Sequence, residues 1–323
     1  MQSPRDMDAP GTGKVTMRKS NSLVKHFKGT WQLYTLLLLP VIFLAVFNYY
    51  PMYGAIIAFK NYSIRAGILG SPWADNYGFA NFIRFFGNYN FIECLRNTLW
   101  ISVYTILVSF PCAIILAISL NYIVNVRYKK AVQLISYFPY FISTIILVGM
   151  INILFNTKTG AIGSIIYSIT GTNVLASAPA FPSLYVWSGI WQSVGFNAII
   201  YMAALSGVDM QLHEAATVDG ATILQRIRHI DLPAIIPTAV ILLILNVGGI
   251  LNVGYEKVLA MQNPNNLNAS EIISTYAYKI ALVASIPDFA YSTAIGLFQS
   301  AVGLVLLLVV NKVSKRLTSE SLW

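Results

Sequence analysis

The stretch EAATVDGATILQRIRHIDLP, running from Glu214 to Pro233, is polar and lies between two of six long apolar segments. A stretch this charged does not cross a hydrocarbon core, so the apolar segments on either side are separate membrane spans and it is the loop joining them. Its own pattern is helical. Asp209 stands where an N-cap would hold the free amides of a helix running toward Val218, and Gly220 follows Asp219 where that helix must turn. Beyond the turn, Ile223, Leu224, Ile227 and Ile230 recur at helical spacing while Gln225, Arg226, Arg228 and His229 face elsewhere. Pro233 is expected to stop this second helix before the next span begins. Residues 208–233 therefore read as a knob of two short helices with one apolar stripe and a charged rim. Such a knob suits a cleft on a separate protein, where apolar anchors give energy and charges give register. An amphipathic loop resting on the membrane surface is the alternative.

Working outward, 56% of the 323 residues are hydrophobic and 10% charged, where soluble domains carry roughly a quarter charged. The chain is an integral membrane protein. Its apolar segments fall at 33–50, 99–120, 135–155, 184–205, 235–250 and 290–310, each near the ~20 residues a helix needs to cross a ~30 Å core. The expected fold class is an all-α polytopic membrane protein with six transmembrane helices, since the strands of a closed barrel would be shorter and would alternate. Pro40, Pro111, Pro139 and Pro237 lie in or at the starts of these segments and are expected to kink them without breaking them.

With the N-terminus inside, 14 lysines and arginines fall on the inner side and 7 on the outer. This bias places the 208–233 loop and both termini in the cytoplasm. Residues 1–29, with Lys14, Arg18, Lys19, Lys25 and Lys28, read as a mostly disordered cytoplasmic tail, 30–313 as the transmembrane domain and 314–323 as a second cytoplasmic tail. The 33–50 segment is longer than the apolar part of a cleaved signal peptide, so the first span stays in the mature chain. Outside lie connections at 51–96, 156–183 and 252–289. The first carries Trp73, Tyr77, Phe82, Phe85, Phe86 and Tyr89, a surface for an external partner or an aromatic belt at the membrane interface.

Several functions are excluded by what these residues lack. A net charge of +9 reflects lysines and arginines held on one side of the membrane, not a nucleic-acid partner. Cys94 and Cys112 form neither a disulfide framework nor a metal cluster. There is no G-x-x-x-x-G-K-[ST] cradle, hence no nucleotide site. His213 and His229 have no second ligand type in a useful cluster, so no metal is expected. The acidic residues fall in tails or connections, which argues against an ion-coupled carrier with a midplane carboxylate. No catalytic triad can assemble from groups on opposite sides of the membrane.

Glutamate, paired alanines, a glycine six residues after the glutamate and a closing Ile-x-Leu-Pro resemble the cytoplasmic coupling loop of permease subunits from binding-protein-dependent ABC importers. Tyr50-Pro-Met-Tyr-Gly54, Ala58-Phe-Lys60, Gly70-Ser-Pro-Trp73, Arg96-Asn-Thr98, the run from Gln133 to Pro139 and the run from Ala294 to Ser300 extend the resemblance over residues 31–316. They are similar to the oligosaccharide- and polysaccharide-uptake members of the carbohydrate branch, among them permeases for an acidic polysaccharide such as alginate. The resemblance implies a type I importer in the bacterial cytoplasmic (inner) membrane. It would contain a second permease subunit, a different chain, and two cytoplasmic ATPase subunits that bind ATP and Mg. An external or periplasmic solute-binding protein would complete it. This chain would bind no cofactor and catalyse nothing.

By the same resemblance Glu214, Ala215, Ala216, Asp219, Gly220, Ile230, Leu232 and Pro233 contact or shape the surface offered to the ATPase. Neutral polar and aromatic groups in the spans are candidates for the solute path, because a sugar needs many uncharged donors and acceptors and flat apolar faces: Asn152, Trp187, Trp191, Gln192, Asn197, Tyr201, Asn246 and Gln299. Interhelical hydrogen bonds explain isolated amides equally well. A different solute on the same scaffold is the nearest alternative; an ion-coupled carrier or a membrane-bound enzyme stands further off.

Overall fold

The computed structural model describes residues 22–317 and 321–322, with side chains from residue 30 to 316 and at 321–322. The chain divides into two units, residues 1–54 and 55–323. Among the described residues every regular element is a helix, and the one extended pairing is an isolated bridge between Lys60 and Trp73. The principal helices are α1 (Ser22–Leu44), α2 (Tyr89–Asn121), α3 (Val126–Tyr137), α4 (Thr144–Leu154), α5 (Phe181–Ser206), α6 (Met210–Val218), α7 (Ile223–Arg226), α8 (Leu232–Gly248) and α9 (Phe289–Leu317).

The first unit is built on α1, which begins at Ser22, inside the expected tail; residues 1–21 lie outside the described ones. After Leu44 it continues through a π-helical turn, Ala45–Tyr49, and the apolar helix from Thr30 runs on to Phe59.

The expected spans take other bounds. Four helices among the described residues are long and apolar enough to cross a membrane: Thr30–Phe59, Tyr89–Asn121, Ile223–Gly248 and Phe289–Arg316. The third and fourth expected spans belong to pairs of helices bent by 100° and 74°, and the total reaches six if each bent pair is one span. The third is broken where a kink was expected. Pro139 sits in a 3-10 turn, Phe138–Phe141, after which Ile142 and Ser143 are extended and Ser143 caps α4. The carbonyl freed at Ile142 accepts a hydrogen bond from Gln192 Nε2 of α5 at 2.7 Å, so the break leaves no bare acceptor there.

The second span begins ten residues ahead of expectation, because Asn88 caps α2 by accepting the Asn90 amide at 2.9 Å. The fifth begins earlier still. Pro233 does not stop the helix that precedes it: α7 passes through a π-helical turn, Ile227–Asp231, directly into α8. A proline ring collides with the carbonyl four residues before it in a regular helix, and the wider π turn is a usual way around that obstacle.

Three apolar clusters hold this unit. At the loop end, Ala113, Ala117 and Ile118 of α2 meet Ala198, Tyr201 and Leu205 of α5 and Ile235 of α8. In the middle, Ile101, Val148 and Phe181 pack with Val258, Met261 and Ile272. At the far end, Phe85 and Cys94 meet Leu251, Ile273, Tyr291 and Ile295. Alpha8 and α9 approach so closely that a Cβ on Gly303 would lie 2.7 Å from the Gly248 carbonyl oxygen. The aromatic residues of 51–96 divide: Phe85 is core, whereas Trp73, Tyr77, Phe86 and Tyr89 are exposed.

Candidate functional site

The 208–233 loop folds from local signals. Asp209 accepts the Gln211 amide at 2.9 Å and starts α6, as its position in the sequence suggests. Alpha6 closes with the Ala221 amide on the Ala216 carbonyl at 2.9 Å, around Gly220 at φ +78°. A Cβ on Gly220 would meet nothing within 4 Å, so the glycine answers to the backbone and not to crowding. Thr222 and Gln225 then form a capping box: the Thr222 amide donates to Gln225 Oε1 at 2.7 Å and the Gln225 amide to Thr222 Oγ1 at 3.4 Å. Sequence reasoning missed this pair although Thr-x-x-Gln at a helix start is its usual signature.

Between α6 and α7 lies a notch of about 370 Å³ lined by Ala216, Asp219, Gly220, Ala221, Gln225, Arg226, His229 and Ile230. Glu214, Ala215 and Asp219 are exposed around it, and Leu232 and Pro233 sit in the first turn of α8. The expected single apolar stripe splits. Ile223 and Leu224 point outward with Leu212 and Val218, the last 87% exposed, while Ile227 packs against the loop-end core cluster.

Behind the notch is a group that sequence reasoning placed in a connection. Asp231 lies inside the continuous helix and is fully buried. Tyr122, just past the end of α2, donates its hydroxyl to Asp231 Oδ2 at 2.7 Å, and His213 Nε2 of α6 stands 3.4 Å from Oδ1. Arg226 donates from Nη1 to Thr217 Oγ1 at 3.0 Å, with its guanidinium 5.8 Å from the centre of the Tyr122 ring. Burial, then the hydrogen bond to Asp231 and its charge, push the Tyr122 phenol up to about 12, which keeps it a donor.

The expected path residues separate into two groups. Asn197 and Tyr201 of α5 and Asn246 of α8 come together with Thr105, Ser109 and Phe110 of α2 around a hollow of about 130 Å³. Thr105, Ile106 and Asn246 also line a second hollow of about 150 Å³ toward the far end, beside Ser102, Tyr185 and Asn252. The result is a strip of uncharged polar groups along the inside of α2, α5 and α8. Ser102, Thr105 and Ser109 were missed; their spacing of three and four residues inside an apolar span was the available signal.

The other candidates lie elsewhere. Gln192 serves the broken span, and Gln299, buried, donates to the Leu251 carbonyl at 2.9 Å and to Ser274 Oγ at 3.0 Å. Trp187 and Trp191 are about half exposed, Trp187 bonded to the Tyr104 hydroxyl at 3.1 Å. Asn152 lines a separate niche of about 20 Å³ with Asn263 and Asn266.

Residues 109–319 match the family described as "Binding-protein-dependent transport system inner membrane component". Over 322 residues the chain is 38% identical to Protein LplB of Bacillus subtilis (strain 168), covering 99% of each. It is 37% identical to the polygalacturonan/rhamnogalacturonan transport system permease protein YteP of the same organism, covering 98% of this chain and 99% of that one. Among solved structures, it matches a chain of a bacterial alginate ABC transporter in complex with an alginate pentasaccharide-bound periplasmic protein. The TM-score is 0.82 and the identity 35%, covering 93% of this chain and 99% of that one.

Proposed function

Because the chain belongs to the inner membrane components of binding-protein-dependent transport systems, we propose that it forms half of the translocation path of an ATP-driven importer for an oligosaccharide, an acidic one such as a uronic-acid polymer fragment. The observation that carries this reading is the conjunction of the exposed, capped knob around Glu214 and Gly220 with an uncharged polar strip between α2, α5 and α8. The acidic substrate is supported by the relatives, two of which handle polygalacturonan or alginate according to their descriptions.

In this reading the knob is cytoplasmic, as are both termini, in keeping with the 14-to-7 bias of basic residues. Two ATPase subunits bind ATP and Mg and receive this knob and that of a second, different permease chain. Closure of the ATPase pair draws the two knobs together and turns the path outward, where a solute-binding protein delivers the sugar. Glu214, Ala215, Ala216, Asp219, Gly220 and Ile230 form the docking surface, Leu232 and Pro233 carry its motion into α8, and Asn197, Tyr201 and Asn246 face the solute. This chain itself hydrolyses nothing.

The test is to tag the chain in its host, purify it in mild detergent and identify retained proteins by mass spectrometry, beside Glu214→Lys. Wild type should retain an ATPase and a second permease, and the variant should lose the ATPase. A wild-type chain that purifies without an ATPase yet transports solute after reconstitution would overturn the reading in favour of an ion-coupled carrier.

A further inference from the structure

We infer that Asp231 is a positioning residue for energy coupling: it binds α6, through His213, to Tyr122 at the end of α2 and to the π turn that feeds α8, so that the three move as one body. The inference rests on the reading of 208–233 as the loop that docks on the ATPase.

Stability gives no reason for a carboxylate at this place. Asp231 is fully buried, and Oδ1 makes no hydrogen bond, facing His213 at 3.4 Å without one. Taking a carboxylate out of water for one hydroxyl and one imidazole costs more than packing an apolar side chain of the same size. What a buried charge supplies is direction, because only one arrangement of its neighbours satisfies it. Here the neighbours come from separate elements: Tyr122 follows α2 and His213 lies on α6, while Arg226 on α7 ties separately to Thr217 of α6.

The route around the tie explains the need for it. Between α6 and α7 the chain passes through the Gly220 turn, and between α7 and α8 through the π turn. Both are places where a helix can flex. With no cross-link, movement imposed on α6 would be absorbed there. The Tyr122–Asp231–His213 contact bypasses both and fastens the docking helix to two spans directly.

The experiment uses the assembled complex in nanodiscs, with spin labels at Val218 and Leu245, 87% and 49% exposed, and distances measured before and after trapping with ATP and vanadate. In the otherwise unaltered protein the distribution should be narrow and should keep its centre on trapping. Asp231→Asn should broaden it and shift its centre by several ångströms on trapping, with the ATPase subunits still bound. Tyr122→Phe should do the same to a smaller degree, and the two effects should be less than additive, because both weaken the same Tyr122–Asp231 contact. A merely structural role would lower the melting temperature and leave the distribution as it was. Distributions in both single variants that match the parent overturn the inference. If Asp231→Asn does not assemble, Tyr122→Phe alone decides. Failure of the docking reading is recognised separately, by Glu214→Lys keeping its ATPase.

Discussion

The knob at 208–233 and the hollow between α2, α5 and α8 are both polar, and they are polar in opposite ways. The knob carries its charges at the surface, with Glu214 and Asp219 exposed beside outward-facing Val218 and Leu224. The hollow is lined by amides and hydroxyls set among apolar side chains, without a single charge. A docking surface gains register from charges that stay in water until the partner arrives. A path must bind its passenger and then release it, and neutral hydrogen-bonding groups inside a membrane do so without the cost of a buried ion. The difference separates two kinds of damage: changes to the knob should break the link between hydrolysis and transport, and changes to the hollow should alter the affinity for solute alone.

The sharpest break is expected from Gly220→Val. At φ +78° a β-branched side chain costs about 1–2 kcal/mol in the backbone alone, and relief means moving the turn that shapes the notch. Uptake should fall roughly tenfold or more, with ATP hydrolysis continuing and membrane insertion intact. Uptake and ATPase assays on the same reconstituted complex measure this.

Asn246→Leu tests the other side. Removing an amide that lines both hollows should raise the half-saturating solute concentration by about tenfold, with basal ATP hydrolysis unchanged. Equal losses of uptake and hydrolysis in this variant would erase the distinction between the two regions.

A third, smaller effect concerns a buried charge bonded to Tyr185, which lines the second hollow. Lys257 is 7% exposed, donates to the Tyr185 carbonyl at 2.9 Å, and burial lowers its pKa from 10.5 to about 8. The fold therefore disfavours its charged form. That cost is fully present below pH 8 and is relieved as the pH rises through 8 toward 10.5. Lys257→Met should raise the melting temperature at pH 7 by about 2–4 °C, and the gain should shrink as the pH approaches 10.5. A gain independent of pH would assign the effect to packing.

The smallest change is Thr222→Ala, which removes the capping box at a cost of about 1 kcal/mol. It should lower coupling less than twofold in the same assays, because α7 remains joined to α8. A collapse as large as that of Gly220→Val would mean that the turn, not its glycine, carries the constraint.

The contrast between local and distant interactions also explains what could be read from the chain. Asp209 and Gly220 act on amides and dihedrals within a few residues, so their roles were legible before any fold was known. Pro233 was misread because its effect depends on the helix before it; a stop and a π turn differ only in whether α7 is held in line with α8. Asn197, Asn246, Gln192 and Gln299 were indistinguishable as uncharged amides in apolar segments. Their division into hollow-lining and carbonyl-satisfying groups rests on where the third span breaks and where α8 ends, at Ile142 and near Leu251. Asp231 looked like a loop residue because the span that contains it begins twelve residues sooner than its apolar pattern suggests.

The absence of a stop at Pro233 has a mechanical meaning. With its π turn held by the Asp231 contacts, the helix of 26 residues from Ile223 to Gly248 moves as one rod, with one end beside the notch and the other beside the second hollow. At 1.5 Å per residue it is about 39 Å long, so a tilt of about 10° at the notch swings the opposite end through about 7 Å. That is wider than a sugar ring is thick, and on the proposed reading it would turn a small displacement at the knob into the opening or closing of a gap between the spans.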